Sequence, residues 1–480
     1  MSSLLLRNAR MGLSGPIRHV LLDGGTVVAV DAEPPPAGVT VDVQGATLLP
    51  GLWDGHVHAV QWAQARRRVD LSGARSAREA VELMLPGSGL TVGYGFRDAL
   101  WPDTPGKEML ESAAPGRPLV LISNDLHTAW LSPAALALIG RGDHPTGVLR
   151  EQECYTAVAA LPPPPRDELD RWVAEAATAA AARGVVGVRD FELADNVTDW
   201  SRRVREHRLD IRVICSVPRM RLEEAIARGL RTGEPVPGSG GLLEVGPVKM
   251  FADGSLNTRT AYCQDPYPGT GSHGLLELPP DELRAAMKLA ADHGLHPAVH
   301  AIGDLAAGVV LDAFESLGCP GRIEHAQLLR PGDVARFARP GLVASVQPAH
   351  APDDRDVAER LWPGRTGRAY PYADLLKAGA TLELGSDAPV APLDPWDGIA
   401  SAVFRTDDER GPWHPEQAIP LAAALAASSR GRTGVRPGDP ADLVLTAQDP
   451  AGLGPAELRD IEIAGTLLGG RWTYRSPGLA

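Results

Sequence analysis

The feature that most restricts this chain's architecture is an eightfold alternation of short apolar runs with amphipathic stretches. The first run, Ala46–Pro50, leads into Gly51-Leu52-Trp53-Asp54-Gly55-His56-Val57-His58, and seven more follow: Val185–Asp190, Ile211–Cys215, Glu244–Phe251, His296–His300, Gly321–His325, Leu342–Gln347 and Thr381–Asp387. Short runs rich in Val, Ile and Leu read as strands buried on both faces. Between them Arg171–Ala182, Leu222–Arg231, Asp281–His293, Ala306–Leu317 and Pro331–Ala338 carry helical spacing. Strand and helix alternating in this way predict an α/β fold, a (β/α)8 TIM barrel, in which chemistry collects at the C-terminal ends of the strands.

Both ends of the chain are instead strand-rich. Leu4–Leu6, His19–Leu22, Thr26–Val30 and Val39–Val43 are punctuated by Gly24-Gly25 and the Pro34–Gly38 turn, and Asp442–Leu445 and Ile461–Tyr474 repeat the pattern. The expected organisation is a small β-sandwich domain from residues 1–48 and 432–480 around a barrel spanning 49–431. The connection after the first strand is far longer than a βα loop requires. It holds its own strand patterns, Leu90–Phe96 and Pro118–Ile122, and is expected to be an inserted subdomain at about residues 65–165.

Composition narrows the partners. A formal net charge of -13 disfavours nucleic acid and anionic membranes, which require clustered Lys and Arg, and leaves a small-molecule substrate. Four scattered cysteines and an N-terminal apolar run broken at Arg7 suggest a reducing, cytoplasmic setting. No stretch reads as a membrane span, and a homodimer is the ordinary expectation for such a chain.

The polar residues at the predicted strand ends form a set. His56 and His58, two apart on the first strand, share a face, with Asp54 beside them. Lys249 ends the fourth strand, His300 the fifth, His325 the sixth and Asp387 the eighth. Four of the thirteen histidines thus fall at one end of the barrel. Imidazoles and a carboxylate suit Zn²⁺, and two ions roughly 3.5–4 Å apart can share a hydroxide whose pKa falls toward ~7. A buried lysine there could lose its proton and react with CO₂ to give a carbamate, a bridging ligand; alternatively Lys249 pairs with Asp253. Asp387 reads as ligand and general base, or else as a turn residue of Gly385-Ser386-Asp387.

These blocks, with Pro145–Glu151, Val248–Leu256, His300–Asp304, Arg322–Gln327, Val343–Pro348 and Gly385–Val390 in the same order, resemble the amidohydrolase superfamily, and within it amidohydrolase family 3, the YtcJ-like group. The resemblance covers nearly the whole chain. It implies a metal-dependent hydrolase of amide-type C–N bonds, with His56, His58, His300, His325, Asp387 and a carboxylated Lys249 (N6-carboxylysine) as ligands. The chain departs from the family pattern at Asn257-Thr258, where Gly-Ser is usual, which alters the substrate contacts expected of the loop after the fourth strand, and in a trimmed insertion, which implies a more open pocket.

Other residues carry two readings each. His127 and Trp130, in Asn124–Trp130, either line the substrate pocket or pin the insertion's core. Glu151 touches substrate or forms a surface ion pair. His350 could orient a substrate carbonyl, and Arg259 or Arg405 a carboxylate. Asp304 and Glu324 are expected to support neighbouring histidines. The reaction expected is hydrolysis of an amide, cyclic amide, N-formyl or carbamate-like bond. Its rivals are a mononuclear deaminase on the same scaffold and a catalytically idle binding or regulatory protein.

Overall fold

The computed structural model describes residues 3–31, 33, 38–207 and 209–479. Pro34–Ala37 of the expected turn and Met1-Ser2 lie outside them. Eight parallel strands follow one another around a barrel in chain order: Leu52–Val57, Val185–Asp190, Arg212–Pro218, Leu243–Phe251, Pro297–Ala301, Gly321–His325, Leu342–Val346 and Thr381–Leu384. The helices between them bury one stripe. In Asp304–Leu317, for example, Ala306, Ala307, Val310, Leu311 and Phe314 face the barrel, the spacing of an amphipathic helix.

The barrel closes between its last and first strands. Asp387 N–H donates to His56 O and His58 N–H to Ala388 O, each at 2.7 Å. Glycines make so close a seam feasible: a Cβ on Gly385 would lie 2.6 Å from His56 N, and one on Gly55 2.8 Å from Leu384 O. The loop carrying Asp387 is therefore bonded directly to the backbone of the two histidines.

One expectation is corrected here. The apolar run Ala46–Pro50 is not the start of the first barrel strand; Thr47–Pro50 belongs to the terminal sheet, where it pairs with Leu443–Thr446. The barrel strand begins at Leu52, with only Gly51 between, so two strands of different sheets abut in the chain and read as one run. The terminal sheet joins both chain ends, and its strand Leu4–Met11 hands one edge from Val39–Asp42 to Thr47–Pro50. Its own apolar core includes Leu6, Val20, Leu48, Leu443 and Leu467.

The insertion forms a five-stranded sheet, with Val69–Asp70, Thr91–Phe96, Leu119–Ser123, Thr128–Leu131 and Val148–Arg150 in that order. It is tied to the barrel at several points beyond the C-terminal ends of its strands. Tyr94 Oη donates to Pro389 O at 2.6 Å and Asn124 Nδ2 to Val390 O at 2.9 Å, both just past Asp387. Ser255 Oγ, after the fourth strand, donates to Asp125 at 2.9 Å. No helix among the described residues is long and apolar enough to cross a membrane.

Candidate metal centre and substrate cleft

Asp387 is the corner at which the expected ligands meet. His56 Nε2 and His58 Nε2 each lie 3.4 Å from its Oδ1. His56, His58 and Asp387 present donor atoms within 4.8 Å of one another, and so do His325, His350 and Asp387. Both His325 (φ 73°) and Asp387 (φ 58°) adopt left-handed backbone, which is uncommon outside glycine. Strain of about 1–3 kcal/mol at each is held by the strand ends around them. His56 is the last but one residue of its strand, whereas His58 caps the helix Ala59–Ala65.

The donor chemistry fits metal. His58 Nδ1, His325 Nδ1, His350 Nε2 and Asp387 Oδ1 are buried without a hydrogen-bond partner, a costly state for polar atoms unless something else meets them. Burial favours the neutral form that metal binding requires at three of the histidines: His56 is pushed down to about 4, with Lys249 adding to the effect, His300 to about 3, and His325 well below its usual range. Burial opposes the Asp387 charge, but His56, His58 and His325 outweigh it and keep the carboxyl well below its usual range.

Lys249 is fully buried, its Nζ 3.2 Å from His56 Nε2 and over the rings of Phe191 (4.7 Å) and Phe251 (5.1 Å). Burial lowers its pKa to about 8. Asp253, the alternative partner, is occupied elsewhere, accepting N–H groups from Tyr262, Ile302 and Gly303. Asp54 likewise turns into the seam, accepting from His56 N–H and Ser386 N–H. His300 stacks edge-on with His325 at 4.5 Å between ring centroids, but its Nε2 lies 3.1 Å from Gly254 O, so it borders the two donor groups without joining either.

Behind His56 lies a network of buried charges. Glu324 accepts from His56 Nδ1 at 2.7 Å and from Arg322; Arg322 also reaches Glu383 and donates to Gly55 O, and Arg189 pairs with Glu383 at 3.2 Å. A hydrogen bond from Nδ1 leaves Nε2 bare toward the site. The sequence marks Glu324 but not its companions. Period-2 placement of charges on strands two, six and eight was the available signal, since one barrel layer is filled from alternate strands. Asp304 does not support a ligand; it bonds Gln264 N–H and Arg368.

A cleft of about 1380 Å³ opens above these residues. His127, Glu151 and His350 line it, as expected. Trp130 and Arg259 do not: Trp130 is fully buried in the insertion's core with Phe96 and Leu110, and Arg259 is exposed on a left-handed turn (φ 61°). Arg405 is buried elsewhere, stacked on Tyr372 at 5.0 Å. Glu151 is no surface residue. Its carboxylate meets His127 Nδ1 at 2.6 Å and accepts from Thr258 and Thr260 at 2.5 Å, and its backbone is strained (φ 49°, ψ -126°). The His127 ring lies 6.3 Å from that of His300.

The His127–Glu151 pair sets a pH response. Burial works against both charges, but their mutual hydrogen bond and attraction prevail, raising His127 to about 9 and lowering Glu151 to about 2. The raised His127 stabilises the fold fully below its ordinary 6.5 and loses that contribution as pH climbs through about 9. Glu151 contributes above its ordinary 4.5 and loses it as pH falls toward about 2. Imidazole NMR of His127 should accordingly show no titration between about pH 5 and 8; a midpoint near 6.5 would disprove the ion pair.

Barrel, clustered donor residues and cleft agree with the class to which the comparisons assign the chain, metal-dependent hydrolases of carbon–nitrogen bonds other than peptide bonds. Residues 39–474 match the amidohydrolase family, and the chain belongs to it. YtcJ of Bacillus subtilis (strain 168) is 28% identical over 492 residues, covering 90% of each chain. The N-substituted formamide deformylase of Arthrobacter pascens is 24% identical over 518 residues, covering 96% of this chain and 95% of its own. Among solved structures, an uncharacterized metal-dependent hydrolase from Pyrococcus horikoshii OT3 superposes with a TM-score of 0.78 at 26% identity, over 95% of this chain and 99% of the other.

Proposed function

We propose that this chain hydrolyses the C–N bond of a small-molecule amide, cyclic amide, N-formyl amide or carbamate-like compound, using two divalent ions, Zn²⁺ being the natural choice for this donor set. The observation that carries the reading is the shared corner: one carboxylate, that of Asp387, belongs to two separate groups of histidine nitrogens. His56, His58, His300, His325 and Asp387 would hold the ions, together with Lys249 once it is carboxylated. In that modification Nζ attacks CO₂, forming an N–C bond and releasing a proton to leave a carbamate anion. Bound ions of this kind lower the pKa of water and polarise a carbonyl.

The remaining work falls to the chain's own groups. Asp387, ionised by its imidazole neighbours, accepts the proton of the attacking water and returns it to the departing nitrogen. The His127 imidazolium, held by Glu151, and His350, with Nε2 free, face the substrate carbonyl from the cleft walls. The formamide deformylase relative supports N-formyl amides within the substrate range.

Metal analysis tests the reading. Purified protein should carry about two equivalents of divalent metal; His58→Ala should lose metal, and Lys249→Ala should lose about one equivalent together with turnover. Less than about half an equivalent in the wild type, unchanged by His58→Ala, would overturn it. A single ion with unmodified Lys249 would instead favour deamination.

A further inference from the structure

Most arginines on the cleft wall have an acidic partner. Arg97 meets Asp353 at 2.9 Å, Arg203 meets Asp170 at 2.8 Å, and Arg67 pairs with Glu175. Arg219 is exposed at the mouth. Arg68 differs from all of these. It is half-buried and lines the cleft, and its guanidinium bonds to Gln64 Oε1 at 3.0 Å. Among the described residues no carboxylate comes within the 4.0 Å of an ion pair. Burial pushes its pKa down to about 10, with Tyr94 and Glu192 opposing the shift. A recessed cation whose neighbouring anion, Glu192, stays beyond ion-pair distance is a costly arrangement for a protein to keep.

Its surroundings say what would meet it. Val69 pairs in register with Gly93, which sets Arg68 next to Val92, on a wall continued by Ile122 and Leu161. The helix Ala59–Ala65 separates Arg68 from His58, a span on the order of 10 Å at helical rise. The cleft thus has a metal-binding end, an apolar flank and a planar cation at a distance. A guanidinium matches a carboxylate through two parallel hydrogen bonds.

We propose that Arg68 is the anchor for a carboxylate on the substrate, so that the preferred substrates are amphipathic: an amide at the metal end, an apolar body, and a terminal carboxylate. This rests on reading the cleft as an amide-hydrolysing site, and the two can fail separately.

Calorimetric titration of the metal-loaded protein with ω-phenylalkanoates of two to six carbons, against phenylalkanols of equal length, tests it. At least one acid should bind about tenfold more tightly than its alcohol. Arg68→Gln should erase that preference, and Arg68→Lys, which keeps the charge but not the fork, should retain part of it. No preference at any length in the wild type would overturn the proposal. So would an undiminished preference in Arg68→Gln, since the acid would then be held by the metals. Turnover of an amide panel is scored in parallel. An Arg68-dependent preference without turnover supports the anion site and refutes the hydrolytic reading; turnover indifferent to a substrate carboxylate does the reverse.

Discussion

Asp387→Asn is expected to lower kcat on any amide substrate by about 10²–10⁴-fold. The side chain keeps its shape, and the backbone N–H that fastens the loop to His56 O is untouched. What disappears is a negative charge on which His56, His58 and His325 converge, and with it a proton acceptor at the centre of both donor groups. Kinetics should be measured together with bound metal. Loss of turnover with metal retained assigns Asp387 to proton transfer, and loss of both assigns it to holding the ions as well. A variant within about threefold of wild-type kcat would remove Asp387 from the mechanism.

Glu324→Gln should be nearly as damaging, by a different route. Glu324 has no exposure and stands between Arg322 and His56 Nδ1. Glutamine fits the space but leaves Arg322 with one carboxylate, Glu383, already shared with Arg189. Breaking a buried ion pair on one side typically costs about 3–5 kcal/mol, and losing the carboxylate behind a ligand histidine typically weakens metal binding by about 10–100-fold. Denaturant unfolding and competitive zinc titration read the two effects independently. The acid limb of stability should change too. Burial opposes the Glu324 charge, but Arg322 and His56 hold its pKa well below 4.5. Its contribution is therefore complete above about 4.5 and lost on acidification, so the variant should be less sensitive than wild type to falling pH in that range. An unchanged unfolding midpoint and unchanged zinc affinity would mean the network does not support His56.

Much of this was legible in the chain itself, for physical reasons. Strands buried on both faces must be apolar, so the barrel strands announce themselves, and Val185–Asp190 and Gly321–His325 appear as expected. Where such an apolar run in the sequence ends in His, Lys or Asp, the exception to the apolar rule marks the candidate site, which is how His56, Lys249, His300, His325 and Asp387 come forward. What stayed hidden depends on three-dimensional partners. Trp130 suits a pocket or a core, and Glu151 a substrate contact or a surface ion pair, until the insertion's sheet is folded; one then proves to be packing and the other a strained, buried acid. His350 shares a donor group with His325 and Asp387 because of a tertiary approach that spacing cannot express. Arg68 gives no local signal, because what distinguishes it is a missing neighbour.

The hydrogen bonds from Tyr94 and Asn124 to Pro389 and Val390 carry a consequence for redesign. The segment that lines the cleft also grips the peptide immediately behind the Asp387 carboxylate. Grafting a relative's insertion onto this barrel to change what it accepts would therefore alter the posture of Asp387, and selectivity and rate should move together unless those two anchoring contacts are transplanted with it.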